Sequence, residues 1–462
     1  MERCLLFHRF VAVSCLSLCV AGGAQAFGDE KARGNPQPPI AQALPAPSPP
    51  SSSQTAASAN SNQQKTEEYT LTHDRYEKAV AYSRAGYTLY FISFFLQVLL
   101  LVAILRLGIA AKFRDIAEGF SGKRWIQALV FVPLFLVTLD VLNLPLRLYG
   151  HTLSLRYEVS VQGWGSWLRD WTKGALLGIA LMLILVLILS AVMRRSPRKW
   201  WLYFWFAALP VVLFFLFVSP WFIDPMFDKF EPLQAKHADL VAAIEKLTNH
   251  AGVPIAPNRM FVMKASEKTT AINAYVTGLA ASKRVVIWDT TIQKITTDEA
   301  LFIVGHELGH YVLGHVKEGF AFFSILLLVA FYGLFRGLHW ALDRWGEAWK
   351  IYGPEDWASL AVLLLLLQAM LFLTSPLTNG FTRMQEHAAD VYGVEVIHGI
   401  VPDSSEVAAH AFQELGEIDL ADPNPSAFIT FWLYSHPPLA DRLVFAHSYD
   451  PWSKGESPKY VK

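Results

Sequence analysis

The chain has 462 residues, with 39 Lys and Arg against 39 Asp and Glu, so its formal net charge is zero. That balance gives no reason to expect nucleic-acid binding, which usually needs a concentrated basic face. A hydrophobic fraction of 53% with only 17% charged residues suits a protein that places much of its surface in lipid. The three cysteines, Cys4, Cys15 and Cys19, all lie near the start, which leaves the rest of the chain with neither a disulfide framework nor a Cys-liganded zinc.

Residues 1–26 read as a signal peptide: Arg3 and Arg9 form a basic start, an apolar stretch runs from Phe10 to Val20, and Ala24-Gln25-Ala26 is a small-x-small cleavage site. An uncleaved signal anchor is the alternative. Residues 27–66 are rich in Pro, Ser, Ala, Gln and Asn. They cannot bury enough apolar surface to offset chain entropy and are expected to be a disordered linker. Apolar runs at bilayer length, where about 20 residues cross the hydrocarbon core, predict spans near 88–105, 128–148, 175–193, 202–223, 320–335 and 358–374. The first four make a membrane domain over 67–223, and the last two a pair within 319–376. Asp140 and Asn143 fall inside the second span. Such residues face protein or a water cavity, unless they lie near the interface.

Two regions outside the spans mix polar and apolar residues: 224–318 and 377–462. In the first, Leu233, Leu240, Ile244 and Leu247 keep helical spacing, and Arg259–Met263, Ala274–Leu279 and Arg284–Trp288 have strand character. The pattern Thr296-x-x-Glu299 opens a further helix that is expected to run on through His315.

That helix carries His306-Glu307-Leu308-Gly309-His310. A spacing of four puts both imidazoles on one face, as zinc requires, while Glu307 is turned by about 100° and can address a water beside the metal. A catalytic zinc wants three protein ligands and one open position. The best segment for the third ligand is Arg383-Met384-Gln385-Glu386-His387-Ala388-Ala389-Asp390. Glu386 and Asp390 share a helical face, so one can bind metal while the other orients a ligand imidazole. His387 is a rival that spacing does not dismiss. His315, nine residues after His306, falls on the opposite face of a continuing helix and reads as structural.

These residues, with three further blocks, resemble the type I CAAX prenyl protease family of membrane-embedded gluzincins, over about Tyr76 to Arg442. The blocks are Ile223-Asp224-Pro225-Met226-Phe227-Asp228-Lys229-Phe230, Ile272–Leu279 with Lys283-Arg284-Val285-Val286 behind it, and Ser435-His436-Pro437-Pro438-Leu439-Ala440-Asp441-Arg442. The resemblance implies a mostly α, polytopic membrane fold that encloses a chamber and carries a zinc metallopeptidase domain with a small β-sheet. It implies one zinc held by His306, His310 and Glu386, with Glu307 as general base and Asp390 orienting a ligand. His436 would stabilise the tetrahedral oxyanion, and Asn273, Tyr275 and Arg442 would meet the substrate, a peptide or protein. The alternatives to such an endopeptidase are CAAX processing in the strict sense and a catalytically silent scaffold, although neither ligand nor base is missing here.

The family's first span is here replaced by the signal and linker. Exporting that linker places loops 106–127, 194–201 and 336–357 in the cytoplasm, with Arg106, Lys112, Arg114, Lys123, Arg124, Arg194, Arg195, Arg198, Lys199, Arg336, Arg344 and Lys350, against Arg156, Arg169 and Lys173 in exterior loop 149–173. The positive-inside rule favours that orientation. It puts the catalytic face on the periplasmic or lumenal side, where membrane-associated or exported proteins are the accessible substrates.

Overall fold

The computed structural model describes residues 69–278 and 283–461. The expected signal and linker lie outside these. Six long helices carry the expected spans: α1 (His73–Arg106), α3 (Arg124–Arg156), α4 (Trp164–Arg195), α5 (Trp200–Val218), α10 (His315–Trp349) and α11 (Ser359–Ile397), with a short α2 (Ile109–Phe120) between the first two. Five of them are long and apolar enough to cross a bilayer alone. The pair Trp200–Phe215 and Ser219–Phe227, bent by 43°, makes a sixth candidate span. All but α5, which stops at Val218, extend well past the apolar run. α11 does so most, passing through the expected boundary at 376/377 without a break and on to Ile397.

Between these spans lies a second core. The turn α6 (Asp224–Phe227) leads to β1 (Phe230–Pro232), α7 (Ala238–His250), β2 (Met260–Met263), β3 (Ala274–Thr277), β4 (Arg284–Trp288), α8 (Asp289–Lys294) and α9 (Thr297–Val312). After α11 come α12 (Ser404–Ile418), α13 (Ala427–Leu433) and α14 (Leu439–Ser448). The sheet runs β1-β2-β4-β3, with β2 and β4 parallel and the other pairs antiparallel, so β3 is an outer strand. Sequence reading found three of these strands and missed β1, which at three residues is too short to show a period.

The two layers have separate apolar centres. Phe131, Phe135, Leu139, Trp200 and Leu338 are in the membrane core, whereas Ile244, Val285, Ile287, Phe302, Leu308, Val396 and Phe412 close the second. Asp140 and Asn143 turn into the protein: Arg147 donates to Asp140 at 2.9 Å, and Asn143 donates to Gln97 at 2.8 Å. In hydrocarbon these partners replace water.

Hydrogen bonds sort the loops onto two ends. Gln413 donates to the Thr70 carbonyl, the Val161 N–H to the Lys268 carbonyl, and Lys268 pairs with Asp170 at 2.7 Å. The start of α1 and the α3–α4 loop therefore lie against the second core. At the opposite end Arg114 pairs with Asp356 at 2.7 Å, and Arg124 donates to the Glu355 carbonyl and stacks on Trp357. The basic loops after α1 and α10 thus sit together, away from the sheet.

Candidate active site

α9 begins at the box read from sequence: the Glu299 N–H donates to Thr296 Oγ1, and the Thr296 N–H donates back to the Glu299 carboxylate. Two orphan donors at the helix start are satisfied, which fixes where the helix begins. The helix ends earlier than expected. Gly314 adopts φ +78°, a left-handed conformation open to glycine, and α10 starts at His315. His315 is therefore not on the far face of a continuing helix, and the turn folds it back beside His310.

α9 crosses α11 at very short range. A Cβ at Gly309 would lie 3.1 Å from Tyr392 Cβ and 3.3 Å from Ala389 Cα, and one at Gly393 would lie 3.2 Å from the His306 nitrogen. Because Gly305 and Gly309 are four apart, as His306 and His310 are, the stripe that admits α11 adjoins the one that carries the imidazoles. Glycine spacing was the signal that sequence reading passed over.

The crossing brings Glu386 under both imidazoles. His306 Nε2 lies 3.2 Å from His310 Nε2 and 3.2 Å from Glu386 Oε2, and His310 Nε2 lies 3.6 Å from Glu386 Oε1. Glu386 is fully buried, and neither of its oxygens has an aligned hydrogen-bond donor. Such a carboxylate is costly unless a cation meets it. Tetrahedral zinc, with bonds near 2.0–2.1 Å, sets its ligand atoms about 3.3 Å apart, so these three groups fit the ion. His387 on the same helix is exposed, with its ring on Phe445. The structure thus separates the two residues that spacing could not.

Asp390, one turn beyond Glu386, places Oδ1 2.9 Å from His306 Nδ1, an ion-pair contact bent from hydrogen-bond alignment. Arg442, 3% exposed, donates from Nε and Nη2 to the two oxygens of Asp390. Arg442, expected to meet the substrate, thus engages both oxygens of Asp390. Burial opposes a charge on His306, but Asp390 and Glu386 outweigh it and raise its pKa to about 9. The pocket therefore favours a cation at that point.

His436 enters from the loop before α14, with Nε2 3.1 Å from Glu386 Oε2 and Nδ1 3.0 Å from Ser435 Oγ. Burial pushes its pKa down by more than Glu386 restores, so it favours the neutral form. Glu307, half-buried, makes no hydrogen bond or ion pair to any described residue.

Asn273 and Tyr275 are at the outer strand, which packs against α9. The Asn273 main chain is fixed by Thr291 and Trp288. Tyr275 packs with Met263, Val286 and Trp288, on the opposite face of the sheet from Ala274 and Val276. The two-residue period of a strand sends its ring there, and the bond from the Trp288 N–H to the Asn273 carbonyl makes Tyr275 and Val286 a hydrogen-bonded pair, so the outward main-chain groups of the strand are those of Ala274 and Val276.

Residues 234–449 match the model of peptidase family M48, and residues 56–229 match that of the CAAX prenyl protease N-terminal region, described as five membrane helices. An uncharacterized metalloprotease of Bacillus subtilis, YhfN, is 34% identical over 372 residues, which are 80% of this chain and 85% of that protein. The CAAX prenyl protease 1 homolog of Arabidopsis thaliana is 26% identical, over 81% of this chain and 87% of its own. CAAX prenyl protease 1 of Saccharomyces cerevisiae is 26% identical, over 69% and 71%. The crystal structure of S. mikatae Ste24p shares the fold, with a TM-score of 0.70 at 22% identity over 81% of this chain and 88% of that one. The chain belongs to peptidase family M48 and is a multi-pass membrane metalloendopeptidase.

Proposed function

We propose that the metal is a single zinc ion held by His306, His310 and Glu386, and that Glu307 is the general base. The observation that carries this reading is the meeting of three buried ligand atoms within 4.8 Å, with both Glu386 oxygens lacking an aligned donor. When bound, zinc supplies Lewis acidity that polarises a carbonyl and brings the pKa of water toward neutrality. Glu307 accepts the water proton and passes it to the leaving amine. Ser435 fixes His436 through Nδ1, which leaves an Nε2–H to donate to the oxyanion as it forms. Arg442 and Asp390 keep the His306 ring in line. The peptide runs along β3, main chain to main chain at the outward groups of Ala274 and Val276, which flank Tyr275.

The test is Glu307→Gln. Bound zinc should stay near wild type while peptide hydrolysis falls by about a hundredfold or more, in line with loss of a general base. His306→Ala and His310→Ala should lose both. Near wild-type turnover in the glutamine variant would sink the assignment.

The substrates on this reading are membrane-associated or exported proteins. What supports an exterior catalytic face is the sorting of loops. The basic segments 106–127, 194–201 and 336–357 lie at or lead to the end where Arg114 meets Asp356, opposite the metal cluster. CAAX cleavage, named for several relatives, takes a cytosolic C-terminus and requires the reverse orientation.

A further inference from the structure

His306 and His310 present their Nε2 atoms to one point, but their outer nitrogens meet unlike partners. His306 Nδ1 faces the Asp390 carboxylate, itself gripped by Arg442. His310 Nδ1 lies 3.0 Å from Nδ1 of His315, with the rings 5.0 Å apart and inclined at 72°. His315 is 8% exposed. Its carbonyl accepts from Gln385, the neighbour of Glu386, and Gln385 also donates to Glu318. His315 is thus tied from both sides to elements that carry ligands.

The tautomers follow from the geometry. An imidazole that gives its Nε2 lone pair to a metal keeps its proton on Nδ1, and that proton needs an acceptor. For His310 the acceptor within reach is His315 Nδ1, which must then be unprotonated, with the His315 proton on Nε2. The left-handed Gly314 makes the contact possible, because along an unbroken helix residues five apart point about 140° away from each other.

We propose that His315 is the positioning residue for His310: a neutral imidazole that accepts the Nδ1 proton, fixes the ring's tautomer and aims Nε2 at the metal. This rests on the reading of His310 as a ligand. A neutral acceptor polarises its partner less than a carboxylate does, so the two ligand histidines bind unequally, and His310 is the weaker arm.

The test uses the full chain, purified in detergent or nanodiscs, with zinc affinity read by competition against a chromophoric chelator. His315→Phe fills the volume without an acceptor, while His315→Asn places an amide oxygen near the position of Nδ1. The phenylalanine variant should bind zinc about 10- to 100-fold more weakly, the range seen when such an outer partner is removed. The asparagine variant should stay within about threefold of wild type on the same grounds. The visible spectrum of the cobalt-substituted protein should shift in the first and not in the second. Should the phenylalanine variant fail to stay monodisperse, His315→Leu carries the same comparison. Wild-type affinity in the apolar variant overturns the proposal, and so does an asparagine variant as weak as the apolar one, which would mark the contact as packing alone. His310→Ala separates the two levels: if it retains wild-type zinc affinity, the ligand reading itself falls and takes this inference with it.

Discussion

Gly393 on α11 stands so close to His306 on α9 that a methyl group there would lie 3.2 Å from the His306 backbone nitrogen and 3.1 Å from Phe302 Cε2. Gly393→Ala must push the helices apart at the point where they set the ligand distances. Overpacking of this kind costs about 1–3 kcal/mol, and zinc affinity should fall with stability. Gly86→Ala, at a helical glycine whose added Cβ meets nothing within 4 Å, is the control and should be neutral or slightly stabilising. Thermal unfolding with and without chelator reads both. Equal behaviour of the two variants would show that the crossing does not depend on glycine.

Glu386→Ala should remove zinc binding, while His387→Ala should leave it near wild type, because His387 turns outward against Phe445. Loss of one of three ligands costs far more than loss of an outer partner, which is about 10–100-fold. Direct metal analysis after dialysis decides the matter. A greater loss from the histidine variant would reverse the ligand assignment.

Ser435 Oγ, 3.0 Å from His436 Nδ1, should matter to turnover and not to metal. Removal of an oxyanion donor costs about 100- to 1000-fold in kcat, which is the loss expected for His436→Ala. Ser435→Ala keeps the donor but frees its ring, so its kcat should fall by a smaller factor, on the order of tenfold, with KM and bound zinc little changed. Steady-state kinetics on a quenched peptide reports the split. A rise in KM with kcat intact would place Ser435 in substrate binding instead.

Orientation is open to a direct experiment. A reporter that is active only outside the cytoplasm, fused after Lys462, should be active. A cysteine introduced at Ser266, which hydrogen-bonds Asp289 beside the sheet, should react with an impermeant thiol reagent. A silent reporter together with an unlabelled thiol would invert the topology and return cytosolic prenylated C-termini to the list of substrates, without touching the metal site.

The sequence made much of this legible, because spans and the histidine pair are local patterns: apolar length in one case, a spacing of four in the other. What escaped depends on where helices break and cross. His315 was misjudged because one helix was assumed to pass through Gly314. The grip of Arg442 on Asp390 could not be read from the sequence, because nothing local brings the two together. Glu386 and His387 are neighbours in the chain, and only the rotation of α11 against α9 tells which one faces inward. Block similarity singled out Tyr275 without showing that the pleat of its own strand sets its ring with Met263, Val286 and Trp288.

α11 is one helix of 39 residues, about 58 Å long at 1.5 Å per residue. Its first half lies among the membrane core residues, and its second half holds Glu386. Glu386 is therefore mounted on a lever whose fulcrum is in the bilayer. From Gln368 to Glu386 is about 27 Å of helix, so a tilt of about 5° would swing the carboxylate by roughly 2 Å, far beyond the tenths of an ångström that a metal site tolerates. Hydrophobic thickness governs the tilt of such spans. If Glu386 holds the metal as proposed, metal retention should vary with the thickness of the surrounding bilayer, and a fragment cut free of its spans should hold the ion less well.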